Sequence, residues 1–193
     1  MKFTQIPTTA MAELQLNAGI LLSSFTPATA EVSGIIGATT GGIKFSATPT
    51  YSDFGEDIDN CPKNMMELKR QDSIEVKIAG TFITISPATA KKLMAAADID
   101  TSDQTKITPR NDLKAEDFAD IWWVGDYSDK NGATNGGFVA LHVMNALNTG
   151  GFQLQSGDKS KGQFPFEFTG HYSINAQSVV PYEVYIKAGT AEG

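Results

Sequence analysis

In Gln163-Phe-Pro-Phe-Glu-Phe-Thr-Gly-His-Tyr172, Phe164, Phe166, Phe168 and Tyr172 fall on one side of an extended chain, and Gln163, Glu167, Thr169 and His171 on the other. A repeat of two marks a strand with one buried face. The pattern recurs. Ile43, Phe45 and Ala47 alternate with Lys44, Ser46 and Thr48, and Ile74, Val76 and Ile78 with Glu75, Lys77 and Ala79. Near the end Tyr182, Val184 and Ile186 alternate with Glu183, Tyr185 and Lys187. Past Gly80 the apolar side takes in both Phe82 and Ile83, a slip of phase that a bulge near Gly80 would produce.

Turn residues punctuate these runs. Asn131-Gly132 and Asn135-Gly136-Gly137 lie between Asp120–Tyr127 and Phe138–Asn145. Asn148-Thr-Gly-Gly151 leads into Phe152–Gln155, and Ser156–Gly162 into the Phe-rich run, so an antiparallel meander is expected here. One helix is expected. Ser86 suits an N-cap, Pro87 the first helical position, and Ala90, Leu93, Met94 and Ala97 recur at helical spacing. A shorter helical turn is expected around Lys114–Phe118. The fold class is therefore mainly β: a sandwich or barrel of antiparallel strands with one flanking α-helix.

Two segments do not fit a closed sandwich. Residues 1–16 read as an extended N-terminal arm carrying Phe3, Ile6, Leu14 and Leu16, ahead of a domain over 17–193. Residues 51–70 form a long loop between two good strands, where a hairpin connection is ordinarily about two to five residues. Its Phe54, Ile58, Met65, Met66 and Leu68 are too apolar for a solvated linker, and burial against another molecule would favour them.

The chain has 193 residues, 41% hydrophobic and 19% charged, enough for one packed domain. A net charge of −7 argues against a protein that grips nucleic acid by its phosphates. Cys61 is the sole cysteine, so no disulfide forms within the chain. The start, Met1-Lys-Phe-Thr-Gln-Ile-Pro7, lacks an apolar signal core, and Ala18–Leu22 is too short to span a bilayer, so no membrane partner is expected.

The stretch Gly34-Ile-Ile-Gly-Ala-Thr-Thr-Gly-Gly-Ile-Lys-Phe-Ser-Ala-Thr-Pro-Thr-Tyr-Ser-Asp-Phe-Gly-Glu-Asp-Ile-Asp-Asn60 resembles the major tail tube proteins of long, non-contractile-tailed bacteriophages. Asp72-Ser-Ile-Glu-Val-Lys-Ile-Ala-Gly-Thr81 and Asp120-Ile-Trp-Trp-Val-Gly-Asp-Tyr-Ser128 fit the same pattern, and the likeness runs from about residue 17 to 188. The resemblance implies a virion protein, assembled in the host cytoplasm. It would self-associate into stacked hexameric rings that form the tail tube, the conduit for DNA delivery. It implies that the loop at 51–70 reaches the neighbouring ring, with Tyr51, Phe54, Ile58, Met65, Met66 and Arg70 at the stacking contact. The N-terminal arm would tie rings together. Tape-measure, tail-terminator and baseplate or tip proteins are the implied partners, and DNA passes through without specific binding. Some relatives carry an extra C-terminal immunoglobulin-like domain, and none is expected here.

If the strands flanking the loop line the lumen, the wall residues are Lys44, Ser46, Thr48 and Thr50 on one, and Glu75, Lys77 and Thr81 on the other. A negative lumen would suit DNA transit, although two of these residues are lysines.

No catalytic, metal or cofactor constellation emerges, and no enzyme is expected. Asp53, Glu56, Asp57 and Asp59 lack the spacing of a calcium loop, with Gly55 misplaced. Asp98, Asp100 and Ser102 open like an EF-hand, but Asp103 stands where Gly belongs and Pro109 where Glu belongs. Gly157-Asp-Lys-Ser160 lacks phosphate-loop spacing. His142 and His171 have no matched ligand partners, so structural roles are expected. The Trp122–Trp123 pair must point to opposite faces of a strand. Two other readings stay open: the tube protein of a phage-derived injection or secretion device, and a monomeric β-sandwich binding module.

Overall fold

A computed structural model describes residues 6–127 and 136–189. Its strands are β1 (Gln15–Thr26), β2 (Glu31–Ile35), β3 (Thr39–Asp53), β4 (Lys69–Phe82), β5 (Ala97–Ile99), β6 (Ile107–Pro109), β7 (Ala119–Tyr127), β8 (Gly137–Asn148), β9 (Phe164–Gly170) and β10 (Tyr182–Lys187). The helix α1 spans Pro87–Met94. The fold is the expected mainly-β sandwich with a flanking helix. Among the described residues, no helix is long and apolar enough to cross a membrane.

Strand order is β2-β1-β7-β8-β9-β4-β3, all pairs antiparallel, with β10 alongside β8. β8 serves two layers. Phe138–Val143 pairs with β7 and β10, whereas Leu147 and Asn148 pair with Thr169 and Phe168 of β9. Between these stretches Asn145 takes φ +48°, a left-handed conformation that Asn tolerates. Its N–H donates to Asp120 Oδ1 (3.0 Å) and its side-chain amide to the His171 carbonyl (3.1 Å), fixing the corner. One layer is thus β2-β1-β7-β8-β10, and the other is β3-β4-β9 with the end of β8.

Apolar side chains meet between the layers. Leu21, Ile121, Trp123 and Val143 face Val76, Ile78, Phe82, Phe166 and Phe168, and Leu93 of α1 joins the same cluster. Phe82 stacks on Phe166 with centroids 4.4 Å apart. A second cluster occupies the outward face of the first layer, where Leu22, Phe25, Trp122, Phe138 and Ala140 are buried with Ala30 and Tyr185 against them. The tryptophans divide as their parity requires. Trp123 enters the central core and donates Nε1–H to the Ala18 carbonyl (2.9 Å), and Trp122 enters the outward cluster.

The helix begins where the cap residues place it. Ser86 Oγ accepts the Thr89 N–H (3.1 Å), and Thr89 Oγ1 donates to the Ile36 carbonyl (2.9 Å), pinning the first turn beside the start of β3. Ser86→Ala should cost about 1 kcal/mol, read by urea denaturation.

Several expectations need correction. Ala97 is not helical: α1 stops at Ala95 (φ +60°), and Ala97 opens β5. The short helical turn expected around Lys114–Phe118 is present, as a 3-10 turn at Ala115–Asp117. Phe152–Gln155 is not a strand, and only Gln155 makes a bridge, to Gln163. The bulge lies on β3, not on β4. β4 pairs without a break with β9 through Gly80↔Phe166, while between Thr40↔Thr81 and Lys44↔Ala79 the three residues Gly41, Gly42 and Ile43 stand against Gly80 alone, two more than the ladder needs. Gly41 and Gly42 hold φ +75° and +80°, and Ile43 swings so close that a Cβ on Gly80 would lie 2.6 Å from its Cδ1. Phe82 therefore keeps the phase of Ile78, and Ile83 lies beyond the strand. On β10 the alternation holds but burial follows it only in part: Tyr182 packs on the central core and Tyr185 in the outward cluster, whereas Val184 and Ile186 are exposed. Tyr172 lies past the end of β9. The turn expected at Asn131-Gly132 and Asn135 lies outside the described residues.

Candidate assembly surfaces

β4 pairs with β9 only from Val76 to Phe82, so Lys69–Glu75 pairs with β3 alone. These seven residues and their partners form a two-stranded ribbon extending roughly 20 Å past the sheet. A lone two-stranded ribbon is marginal in water. At its base the Ile74 N–H donates to Tyr172 Oη (2.9 Å). At its tip Phe54, Ile58 and Met66 are 58%, 51% and 81% exposed. The connecting loop is shorter than 51–70: it runs over 54–68, with a 3-10 turn at Met66–Leu68. Tyr51 and Arg70 belong to the ribbon, paired with Gln71 and Ser52. The Lys69 ammonium sits 5.2 Å from the Tyr51 ring centroid. Met65 is also exposed, its Sδ 3.4 Å from Cys61 Sγ.

Asp53 organises this tip. Its carboxylate accepts the Gly55 N–H (2.9 Å) and the Asn64 N–H (2.8 Å), closing the loop across eleven residues. Those two amides hold the carboxyl below its ordinary value of 3.8. A depressed carboxyl pKa contributes stability above the unfolded value and loses it as pH falls through the folded one. Loop closure should therefore weaken below about pH 4. Asp53→Ala should open the tip to proteolysis at neutral pH while global unfolding stays unchanged; limited digestion followed by mass spectrometry checks both. Its oxygens are taken up by backbone amides, which accounts for the residue without a cation.

The outward face of the second layer carries every expected wall residue. Ser46 lies opposite Lys77, Thr48 opposite Glu75, Lys44 opposite Ala79 and Thr40 opposite Thr81, with Thr50 opposite Ser73. Glu167 and Thr169 of β9 continue the face. Lys77 Nζ lies 2.9 Å from Glu75 and 3.6 Å from Glu167. Two lysines, 44 and 77, thus match two glutamates, 75 and 167. The face is small, hydroxyl-rich and formally neutral, so the chain's acidic excess is carried elsewhere.

The N-terminal segment is short of regular structure beyond a 3-10 turn at Ala10–Ala12. Ile6 and Leu14 are exposed on it, and Phe3 lies outside the described residues. Leu16 is exposed but belongs to β1, opposite Asp126, so the arm ends at Leu14. The sequence reading missed the β9–β10 connection, where Ile174 (83% exposed) and Val179 stand out, and no periodicity there distinguished them from buried residues.

Both histidines are tied into the scaffold. His142 stacks on Trp122 (3.9 Å, 6°), with Nε2 3.0 Å from Asp120 and Nδ1 3.2 Å from Glu183. Glu183 is held below the ordinary glutamate range by the Tyr185 hydroxyl first and His142 second. His171 Nδ1 lies 3.1 Å from the Asn145 carbonyl oxygen, beside the β8 corner.

Neither a scan of protein-family models nor a search of curated proteins finds a match to this chain.

Proposed function

We propose that this chain is a structural subunit that assembles into stacked hexameric rings, forming the tube of a phage tail through which DNA is delivered. The single observation that supports this most is the β3–β4 ribbon. It extends beyond the domain, is too thin to be stable alone, and ends in exposed Phe54, Ile58 and Met66. A partner surface would bury those side chains and stiffen the ribbon. The neutral, hydroxyl-rich face of Lys44–Thr50 and Glu75–Thr81 suits a wall past which a polyanion slides, having neither a net positive charge to hold it nor unpaired carboxylates to repel it. Tape-measure, terminator and tip proteins would meet the ends of such a tube. The tube of a phage-derived injection device would use the same assembly with a different cargo.

A monomeric binding module is the second reading. The closure of the tip on Asp53 favours it, because a recognition loop gains from being held in one shape. Negative-stain electron microscopy of the purified protein, dilute and then concentrated, tests the two. Rings or hollow tubes are expected. Monomers at every concentration, with residues 54–68 resistant to protease, would replace the assembly reading with the binding module.

A further inference from the structure

The ribbon leaves the sheet where the pairing of β4 changes over a few residues. The ladder to β9 ends at Val76↔Gly170. Two residues nearer the tip, the Ile74 N–H meets no β9 backbone and donates instead to Tyr172 Oη (2.9 Å). Two residues nearer still, the ladder to β3 carries a bulge. Thr50 lies opposite Ser73 and Tyr51 opposite Gln71, so Asp72 is an extra residue. A bulge bends the strand that carries it and increases the local twist. Side chains hold this one in shape: Ser52 Oγ donates to Asp72 Oδ2 (2.6 Å), and the Thr50 and Ser73 hydroxyls lie 2.8 Å apart. Ile74 is the last apolar residue of β4, going towards the tip, that packs against the central core.

Tyr172 is itself anchored in the body of the sandwich. The N–H of its neighbour His171 donates to the Met144 carbonyl (3.3 Å), and the His171 carbonyl accepts the Asn145 side-chain amide (3.1 Å). The His171 ring meets Phe118 edge-on, with centroids 5.2 Å apart. The Tyr172 hydroxyl is thus presented from the β8 corner to a strand that has just left the sheet. Its ring is 40% exposed and belongs to neither apolar cluster, so the bond to Ile74 is not a by-product of core packing.

We infer that the ribbon is a pivoting arm: it bends at the Asp72 bulge, and the Tyr172 hydroxyl on the Ile74 amide is the catch that holds its root in the direction seen here. A neutral hydrogen bond of this kind biases an equilibrium by roughly fivefold. With no third strand beside it, the ribbon beyond Asp72 has little else to fix its course. A partner that grips the tip in another direction then needs only a small preference to release the catch. The device goes beyond the assembly reading, since it serves equally whether the tip meets a second copy or a different ligand.

The full chain, kept below the concentration at which it associates, allows a direct test. Glu67→Cys and Glu31→Cys in a Cys61→Ser background put one spin label near the tip and one on the edge of the first layer, both at exposed positions. Double electron–electron resonance is expected to give one narrow distance in this chain. Tyr172→Phe, which removes only the hydroxyl, should broaden the distribution. Deleting Asp72 makes the ladder regular, and should give a narrow distribution about a displaced mean. Amide exchange by NMR in Tyr172→Phe should quicken roughly fivefold at Ile74 and stay unchanged at Ile78. An unchanged Ile74 rate, an equal rise at Ile78, or a distribution as broad with the tyrosine as without it would overturn the catch. The same mean distance with and without Asp72 would overturn the pivot. Both are read on the dilute monomer, so the failure of either leaves the assembly reading to the electron microscopy of rings and tubes.

Discussion

Deleting residues 54–66 is expected to yield a folded monomer that forms no rings or tubes at any concentration at which wild type does. Asp53 and Lys69 already face each other across the ribbon, and Glu67 and Leu68 remain to join them as a two-residue turn. None of the deleted residues belongs to either apolar cluster. The melting temperature should therefore move by no more than about 4 °C, equivalent to about 1 kcal/mol in a domain of this size. Assembly should suffer far more. Fully burying a side chain the size of Phe54, Ile58 or Met66 contributes about 1.5–3 kcal/mol. Losing about 3 kcal/mol of contact raises the concentration needed for association by roughly 100-fold. Sedimentation velocity together with electron microscopy would measure both sides. Tubes of normal length from the deletion variant would remove the ribbon tip from the assembly contact.

The second large effect is expected in the core. Phe168 is 2% exposed and lies opposite Ile78 on one side and Asn148 on the other, where β4, β9 and the end of β8 come together. Phe168→Ala should cost about 3–5 kcal/mol through lost transfer energy and the cavity left behind. Against a total stability of about 5–15 kcal/mol, this brings the domain close to unfolding at physiological temperature. Urea denaturation of the monomeric deletion variant, with and without the substitution, isolates the effect from assembly. A loss under about 1 kcal/mol would mean that the two layers are not joined through this ring.

Elements with a local signature were legible from the sequence. β9 and β4 alternate because one face of each is buried, and Phe166, Phe168, Val76 and Ile78 fall where that alternation puts them. The start of α1 was legible because capping involves residues only three apart, Ser86 and Thr89. Features set by partners distant in the chain were not. The β1–β2 hairpin escaped notice because β1 shifts register between Leu16 and Ile20 and buries side chains on both faces, Leu21 inward and Leu22 outward. A second cluster outside the first layer also explains the burial of Tyr185 on β10. Tyr185 packs there, and the alternation that places Val184 and Ile186 together says nothing of which face is covered. The candidate site was legible as apolar residues in a long connection. The ribbon's length was not, because it follows from where β9 stops pairing, and neither was the part played by Asp53, whose partners are backbone amides.

The pairing of β1 with β7 joins Leu21 to Trp123, and the core between the layers is complete only with Phe166 and Phe168 of β9. Contacts so distant along the chain must wait until most of the polypeptide exists, and they form slowly. The central core receives Phe166 and Phe168 from β9, so a chain made only as far as β8 has no finished sandwich from which to hold out a ribbon. In the proposed assembly, polymerisation would then begin from subunits whose β9 is already in place. Growth of any filament would draw on a pool of finished protein, and its pace would follow the rate of folding as well as the rate of encounter.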